Sequence, residues 1–201
     1  MDIVSIIRDN KYLNQIYKQS TSIVEIVPFY LVEEYLSDDF KLQVDLENME
    51  TCLPGPSDMK TIAENSEVPE SEAALDKRLA DGCICLAVKS KGDICAYSWC
   101  NLRNVAYRGL IIPLKDDEAY LFDARTFNAY RGKNIAPYVR HQLYSHLKNM
   151  GRSKFYSASS YFNKAAMIFK VKLGAKPVKL YLGLKLFKKY SWNILIRTYA
   201  A

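Results

Sequence analysis

Apolar residues recur at two different periods along this chain. Over Ala136–Met150 the positions Ala136, Val139, Leu143, Leu147 and Met150 fall at steps of three and four, which puts them on one face of an α-helix. Pro137 is tolerated in the first turn of such a helix, and Gly151 stands just past its end. Further on the period is two. Val178, Leu180, Leu182, Leu184 and Leu186 alternate with Lys179, Tyr181, Gly183, Lys185 and Phe187, the pattern of a strand. Phe40, Leu42, Val44 and Leu46 alternate in the same way with Lys41, Gln43 and Asp45, so a half-buried strand is predicted there.

The remaining elements follow from shorter signals. Ile23–Val32 is β-branched and aromatic and predicts one or two strands broken at Pro28. Cys83–Val88 and Ile94–Cys100 predict a hairpin across the Gly92 turn, and strands are expected over Glu118–Phe127, over Phe155–Ser160 and around Trp192, Ile194 and Ile196. Ser71–Ala80 reads as a helix capped by Ser71 and stopped by Gly82, and Asn163 opens another that Gly174 closes. Glu50–Pro69, with Pro54-Gly55-Pro56 and many small polar residues, is expected to be loop. Strands outnumber helices. The fold class is therefore α+β (mixed α/β), a central, mostly antiparallel twisted sheet of about six to seven strands flanked by helices. Residues 1–70 read as a strand and loop extension packed on a core formed by residues 71–201, one domain overall.

Composition narrows the class. With 201 residues, 49% hydrophobic and 25% charged, the chain matches a soluble globular domain rather than a disordered one. No apolar run approaches the ~20 residues of a spanning helix, and Met1–Asn10 is too short and interrupted for a secretory signal. Five cysteines without disulfide-scaffold spacing point to free thiols and a reducing, cytoplasmic setting. Cys83, Cys85, Cys95 and Cys100 do not form a zinc spacing, so no metal is expected. The net charge of +6 hides a split: residues 1–123 hold all 22 acids against 12 lysines and arginines, whereas Ala124–Ala201 holds 16 lysines and arginines and no acid. Such a segment faces either a polyanion or the acidic half of its own chain.

The chemistry is concentrated in Tyr120–Ala136, YLFDARTFNAYRGKNIA. A strand ends near Phe127, a polar turn carries Arg131-Gly132-Lys133-Asn134, and a helix begins near Ala136. The first amides of a helix have no intrahelical acceptor, and the helix dipole favours negative charge there. Gly132 permits a tight backbone, and Asn134 is the non-glycine residue that best tolerates positive φ. Arg131 and Lys133 add cations, and Ala136 leaves room for close approach. The segment is predicted to cradle a diphosphate.

Arg131-Gly132-Lys133-Asn134-Ile135-Ala136, after Tyr130, resembles motif A of the GNAT-type N-acetyltransferases, whose acyl-CoA loop reads Arg/Gln-x-x-Gly-x-Gly/Ala. Asn163-Lys-Ala-Ala166 through Lys172-Leu173-Gly174-Ala175 resembles motif B of the same family, and the resemblance runs from about Cys83 to the C-terminus. Asn134 replaces the first motif glycine, and Asn128 stands where a proline is frequent. Lys170 occupies the position where many members carry a tyrosine that protonates the departing CoA thiolate.

The resemblance implies a sheet splayed at an acyl-CoA site, with backbone groups around Arg125, Thr126 and Phe127 pairing with the pantetheine amides. It implies that Arg131, Gly132, Lys133, Asn134, Ile135 and Ala136 hold the pyrophosphate, with Asn163 and Lys170 also at the cofactor. An ammonium at Lys170 would stabilise a thiolate or contact a CoA phosphate; the plain alternative is a solvated lysine on a helix face. Asp123 and Glu118 are the candidate general bases, with Tyr120 as a water-relaying partner. The implied function is transfer of an acyl group, acetyl first, from acyl-CoA to a primary amine by direct attack. The acceptor is expected to be a small molecule, with no membrane partner, and a homodimer is left open. Two alternatives stand beside it: a catalytically silent acyl-CoA sensor, and a protein that uses aminoacyl-tRNA or another nucleic acid on the same fold. The second ranks lower because the lysines and arginines are spread over several elements.

Overall fold

A computed structural model describes residues 24–35, 49–65 and 67–199. The elements run β1 (Val24–Glu34), β2 (Met49–Cys52), α1 (Pro56–Glu64), α2 (Glu72–Ala80), β3 (Ile84–Ser90), β4 (Asp93–Asn101), β5 (Asn104–Tyr107), β6 (Leu110–Pro113), β7 (Glu118–Thr126), a 3₁₀ turn (Asn128–Tyr130), α3 (Ile135–Asn149), β8 (Lys154–Ser160), α4 (Lys164–Lys172), β9 (Lys176–Leu186) and β10 (Tyr190–Thr198). The strand predicted at Phe40–Leu46 lies outside the described residues.

Among the described residues the main sheet has eight strands in the order β10-β9-β1-β8-β7-β4-β3-β2, and β5 with β6 forms a separate two-stranded ribbon. Every pairing in the main sheet is antiparallel except β7 with β8. That parallel pair needs a crossover, and α3 supplies it.

The helix at Ser71–Ala80 is present as α2, with Ser71 Oγ accepting the Ala74 N–H. Those opening at Ala136 and at Asn163 are α3 and α4. Two expectations are corrected. Pro28 does not break the first strand, because its carbonyl accepts the Tyr161 N–H beyond the end of β8. The donor-less proline nitrogen faces the same way, past the last β1–β8 pair at Phe29 and Ser160, so it costs no bond to β9 and none within β8. Glu50–Pro69 is not all loop: β2 enters the sheet beside β3, and Pro56 starts α1, with Asp58 accepting the Gly55 N–H at 3.2 Å. Met59 and Ile62, one turn apart, are fully buried and turn this polar stretch into a core helix.

α3 covers one face of the sheet. Its Val139, Leu143 and Leu147 pack on Leu86, Val88, Ala119 and Leu121. The opposite face carries two separate covers. α1 and α2 place Met59, Ile62 and Leu75 over Cys85, Tyr97 and Trp99, while Val105 of the β5–β6 ribbon lies with Phe29, Leu31, Tyr120 and Tyr181. Phe122 packs against both groups, between the two covers. All five cysteines are free, and burial pushes the Cys85 and Cys100 thiols up, the latter to about 12. They are packing residues.

Candidate acyl-CoA site

The segment after β7 is built as the sequence predicts. Gly132 has φ +79° and Asn134 is left-handed at φ 57°, ψ 22°. Two positive-φ residues in a three-residue bend curl the chain so that its amides converge at the N-terminus of α3. Among the described residues no backbone carbonyl accepts the N–H groups of Gly132, Lys133, Ile135 or Ala136. The first intrahelical bond of α3 is Tyr138 N–H to Asn134 O. Unsatisfied donors at a helix N-terminus attract an anion through both the hydrogen bonds and the dipole.

Next to these donors lies a cavity of about 340 Å³, bounded by Thr126, Tyr130, Ala136, Pro137 and, across from them on α4, Ala165, Ile168 and Phe169. Lys172 and Arg131 also reach its wall. Lys133 sits with its ammonium 5.6 Å from the centre of the Tyr130 ring.

One residue that sequence reasoning did not single out fastens this bend. Glu67, between α1 and α2, takes the Asn128 N–H at 2.9 Å on one carboxylate oxygen and the Arg131 guanidinium at 2.8 Å on the other. Its backbone carbonyl accepts from Arg125 at 2.5 Å. Arg131 also donates to Thr126 O at 3.0 Å. Glu67 lies about sixty residues before its partners, so no local pattern marks it.

The sheet opens beside the cavity. β7 pairs with β8 only from Glu118 with Lys154 to Leu121 with Ser157, although both strands continue beyond. The divergence coincides with a bulge. Between Tyr97 and Trp99 the β4–β7 register shifts, and Asp123 takes φ 43°. Of the three residues expected to offer free backbone, only Thr126 keeps a free group, its N–H, since its carbonyl accepts from Arg131. Phe127 N–H is spent on Cys95 O. Antiparallel alternation then turns the Thr126 groups away from β4, toward the gap. Arg125, one residue earlier, points its groups back at β4.

The other predicted residues are dispersed. Asp123 lies at the bulge, 2.6 Å from Arg78 and 3.8 Å from Arg125. Arg78 stacks over Trp99 and Phe122 and also pairs with Glu70. Glu118 starts β7, and eight residues of strand at about 3.3 Å each separate it from Thr126. It accepts the Lys115 N–H at 2.9 Å and lines a different cavity with Glu33, Tyr156 and Lys179. Tyr120 is buried, which pushes its phenol up. Asn163 caps α4, taking the Ala166 N–H at 3.1 Å, and does not reach the cavity wall.

Lys170 is not a solvated helix-face lysine. It is buried on α4, donating to Ser159 Oγ at 2.6 Å and Ala158 O at 3.2 Å. Burial pushes its ammonium down to about 8, against the pull of Glu34. Glu34, the last residue of β1, is fully buried. Burial pushes its carboxyl up, but Arg140 at 3.4 Å and Lys170 at 3.9 Å hold it below the ordinary value. Tyr144 donates to the same carboxylate, and Arg140 donates to Ser98 Oγ at 3.3 Å.

No protein-family model matches the sequence, and neither does any curated protein. Solved structures do resemble the fold. A putative GNAT-family acetyltransferase from Novosphingobium aromaticivorans superposes with TM-score 0.55 at 15% identity over 81% of this chain and 64% of its own. A GNAT-family acetyltransferase from Colwellia psychrerythraea gives 0.58 at 17% identity, over 87% and 61%. A GCN5-related glucosamine N-acetyltransferase region of a fungal multi-domain β-N-acetylglucosaminidase gives 0.60 at 14% identity, over 88% and 23%. The chain thus spans under two thirds of the length of each of these proteins. At such identities the likeness is one of fold: the chain has the GNAT, or acyl-CoA N-acyltransferase, fold.

Proposed function

We propose that this GNAT-fold chain is an acyl-CoA-dependent N-acyltransferase, with acetyl-CoA as donor and the primary amine of a small molecule as acceptor. The observation that carries the reading is the set of outward amides between Gly132 and Ala136, held at the mouth of a cavity that reaches Thr126 at the end of β7. A CoA diphosphate satisfies those donors, and Arg131, Lys133 and Lys172 complement its charge. From there the pantetheine arm runs along Thr126 toward the fork, where the free strand edge takes its amides as a further strand would.

The amine attacks the thioester directly, so the protein has to align two reactants, stabilise one oxyanion and accept one proton. Asp123 is the acid that borders the fork, and Arg78 orients it. Glu118, at the other end of β7, has no part in this reading. The gap between the two covers, floored by Phe122, is the route for the acceptor.

Titration calorimetry with acetyl-CoA tests the donor site: binding in the micromolar range is expected, and no heat at tens of micromolar ends the proposal. CoA release in the presence of a primary-amine panel then separates an enzyme from a CoA-binding sensor.

A further inference from the structure

At the β10 end of the main sheet the usual distribution of polar and apolar side chains is inverted. Cross-strand partners share a face. Ile26 and Pro28 of β1 stand opposite Leu184 and Leu182 of β9, which in turn meet Trp192 and Ile194 of β10. The rung before them, Val24 with Leu186 and Tyr190, is apolar as well, and the one after runs from Tyr30 through Leu180 to Arg197. Glu34, on the same side of β1, is buried against Arg140 of α3 and Lys170 of α4, so these rungs lie on the α3 and α4 side of the sheet. The intervening residues lie on the ribbon side, where Phe29 and Tyr181 are covered and Glu25 and Asn193 bond Arg108.

An antiparallel sheet with one face in water places its polar side chains on that face. Here the polar positions face the β5–β6 ribbon and the apolar rungs face outward. Among the described residues no element covers them: Ile26, Trp192 and Ile194 are 58%, 51% and 49% exposed. A contiguous apolar surface of this kind marks a docking site. The outer edge of β10 is a poor one, because a bulge sits between Leu195 and Arg197, and the Arg197 guanidinium stacks over Tyr199 at 4.8 Å. The face is what remains.

Its charge and size say what covers it. None of these rungs carries a carboxylate, and Arg197, their one cation, stands at the margin. A strongly charged partner therefore finds no counter-ion at the centre. Lys188 and Lys189, on the turn from β9 to β10, stay at the rim in water. The exposed side chains offer roughly 800 Å² per copy, the share that one partner brings to an interface of standard size. An identical face matches it without leaving a polar group unpaired, and a two-fold axis uses the same patch on both copies.

We propose that two copies of this chain pack through the uncovered face of β1, β9 and β10, sheet on sheet as in a sandwich. Trp192, stacked on Tyr190 at 6.1 Å, is the aromatic anchor of the pairing. This dimer is independent of the acyl-CoA reading.

Sedimentation velocity of the full chain at tens of micromolar should give a dimer. Ile26→Glu and Ile194→Glu each change a side chain that is exposed in the single copy, so the fold tolerates them. Each also brings two unpaired carboxylates into the interface, and should raise the dimer dissociation constant at least about 100-fold. Leu195→Glu is the control: it is equally exposed, but its pairing with Tyr181 puts it on the ribbon side, and the dimer should persist. Circular dichroism checks the fold of each variant, and where one fails the wild type carries the test by itself. Trp99 is fully buried, so acrylamide quenching reports Trp192, the only other tryptophan, and should rise as the protein is diluted. A wild type that stays monomeric overturns the proposal, as does a dimer that survives both glutamates or shows no change in quenching on dilution. A monomer that cosediments with phosphatidylserine vesicles also overturns it, and assigns the face to an anionic lipid surface.

Discussion

Asn134 is the hinge of the proposed cradle, and its replacement by valine tests the geometry directly. At φ 57°, ψ 22° an L-residue meets the following carbonyl with its Cβ, at a cost of roughly 1–2 kcal/mol. A β-branched side chain stands at the unfavourable end of that range. The Asn134 side chain makes no capping hydrogen bond to the first turn of α3. Asn134→Val should therefore cost about 2 kcal/mol, which for a chain of this size lowers the melting temperature by roughly 4–8 °C. If the bend relaxes to avoid that strain, the amides of Ile135 and Ala136 turn away from those of Gly132 and Lys133. The same energy then appears as a loss of about 30-fold in CoA affinity. Asn134→Gly is the control, because glycine takes positive φ without penalty; its melting temperature should stay within about 2 °C of wild type. Thermal denaturation and calorimetry with CoA read both quantities. A valine variant that melts and binds CoA like the wild type would refute the claim that the left-handed residue holds the amides together.

Met59→Ala should cost about 2–5 kcal/mol in urea denaturation, because the side chain is fully buried under α1; a loss below about 1 kcal/mol would show that α1 is only loosely attached. Gly109→Ala should destabilise more than Gly92→Ala by at least about 1 kcal/mol. Both glycines have positive φ, but a Cβ at 109 would meet Ser191 Cβ at 2.7 Å while one at 92 meets open space; equal urea midpoints would refute the close approach.

The bend with its outward amides was legible because it is local. Strand end, Arg131-Gly132-Lys133-Asn134 and helix start are contiguous, and positive φ at Asn134 follows from the residue's own chemistry. Helix starts at Ser71 and Asn163 were legible for the same reason: a capping oxygen reaches only three residues along the chain. The helix at Pro56–Glu64 was not. Its two buried side chains are too few to set a period, and the surrounding Pro, Gly and Ser dominate the pattern.

What the amino-acid order determined on its own is the set of strands and helices with clear period, the bend with its outward donors, and the unequal distribution of charge. Tertiary structure alone decided where that charge goes. Glu67 clasps Arg125, Asn128 and Arg131 from the α1–α2 connection, and Glu34 meets Arg140 and Lys170 from the other end of the chain. Tertiary pairing also decided that Lys170 turns inward, since a helix surface position shows its environment only after the sheet has opened beneath it. The physical reason is range. Backbone preference and capping act over a few residues, whereas the partner of a buried charge is chosen by packing between segments far apart in sequence.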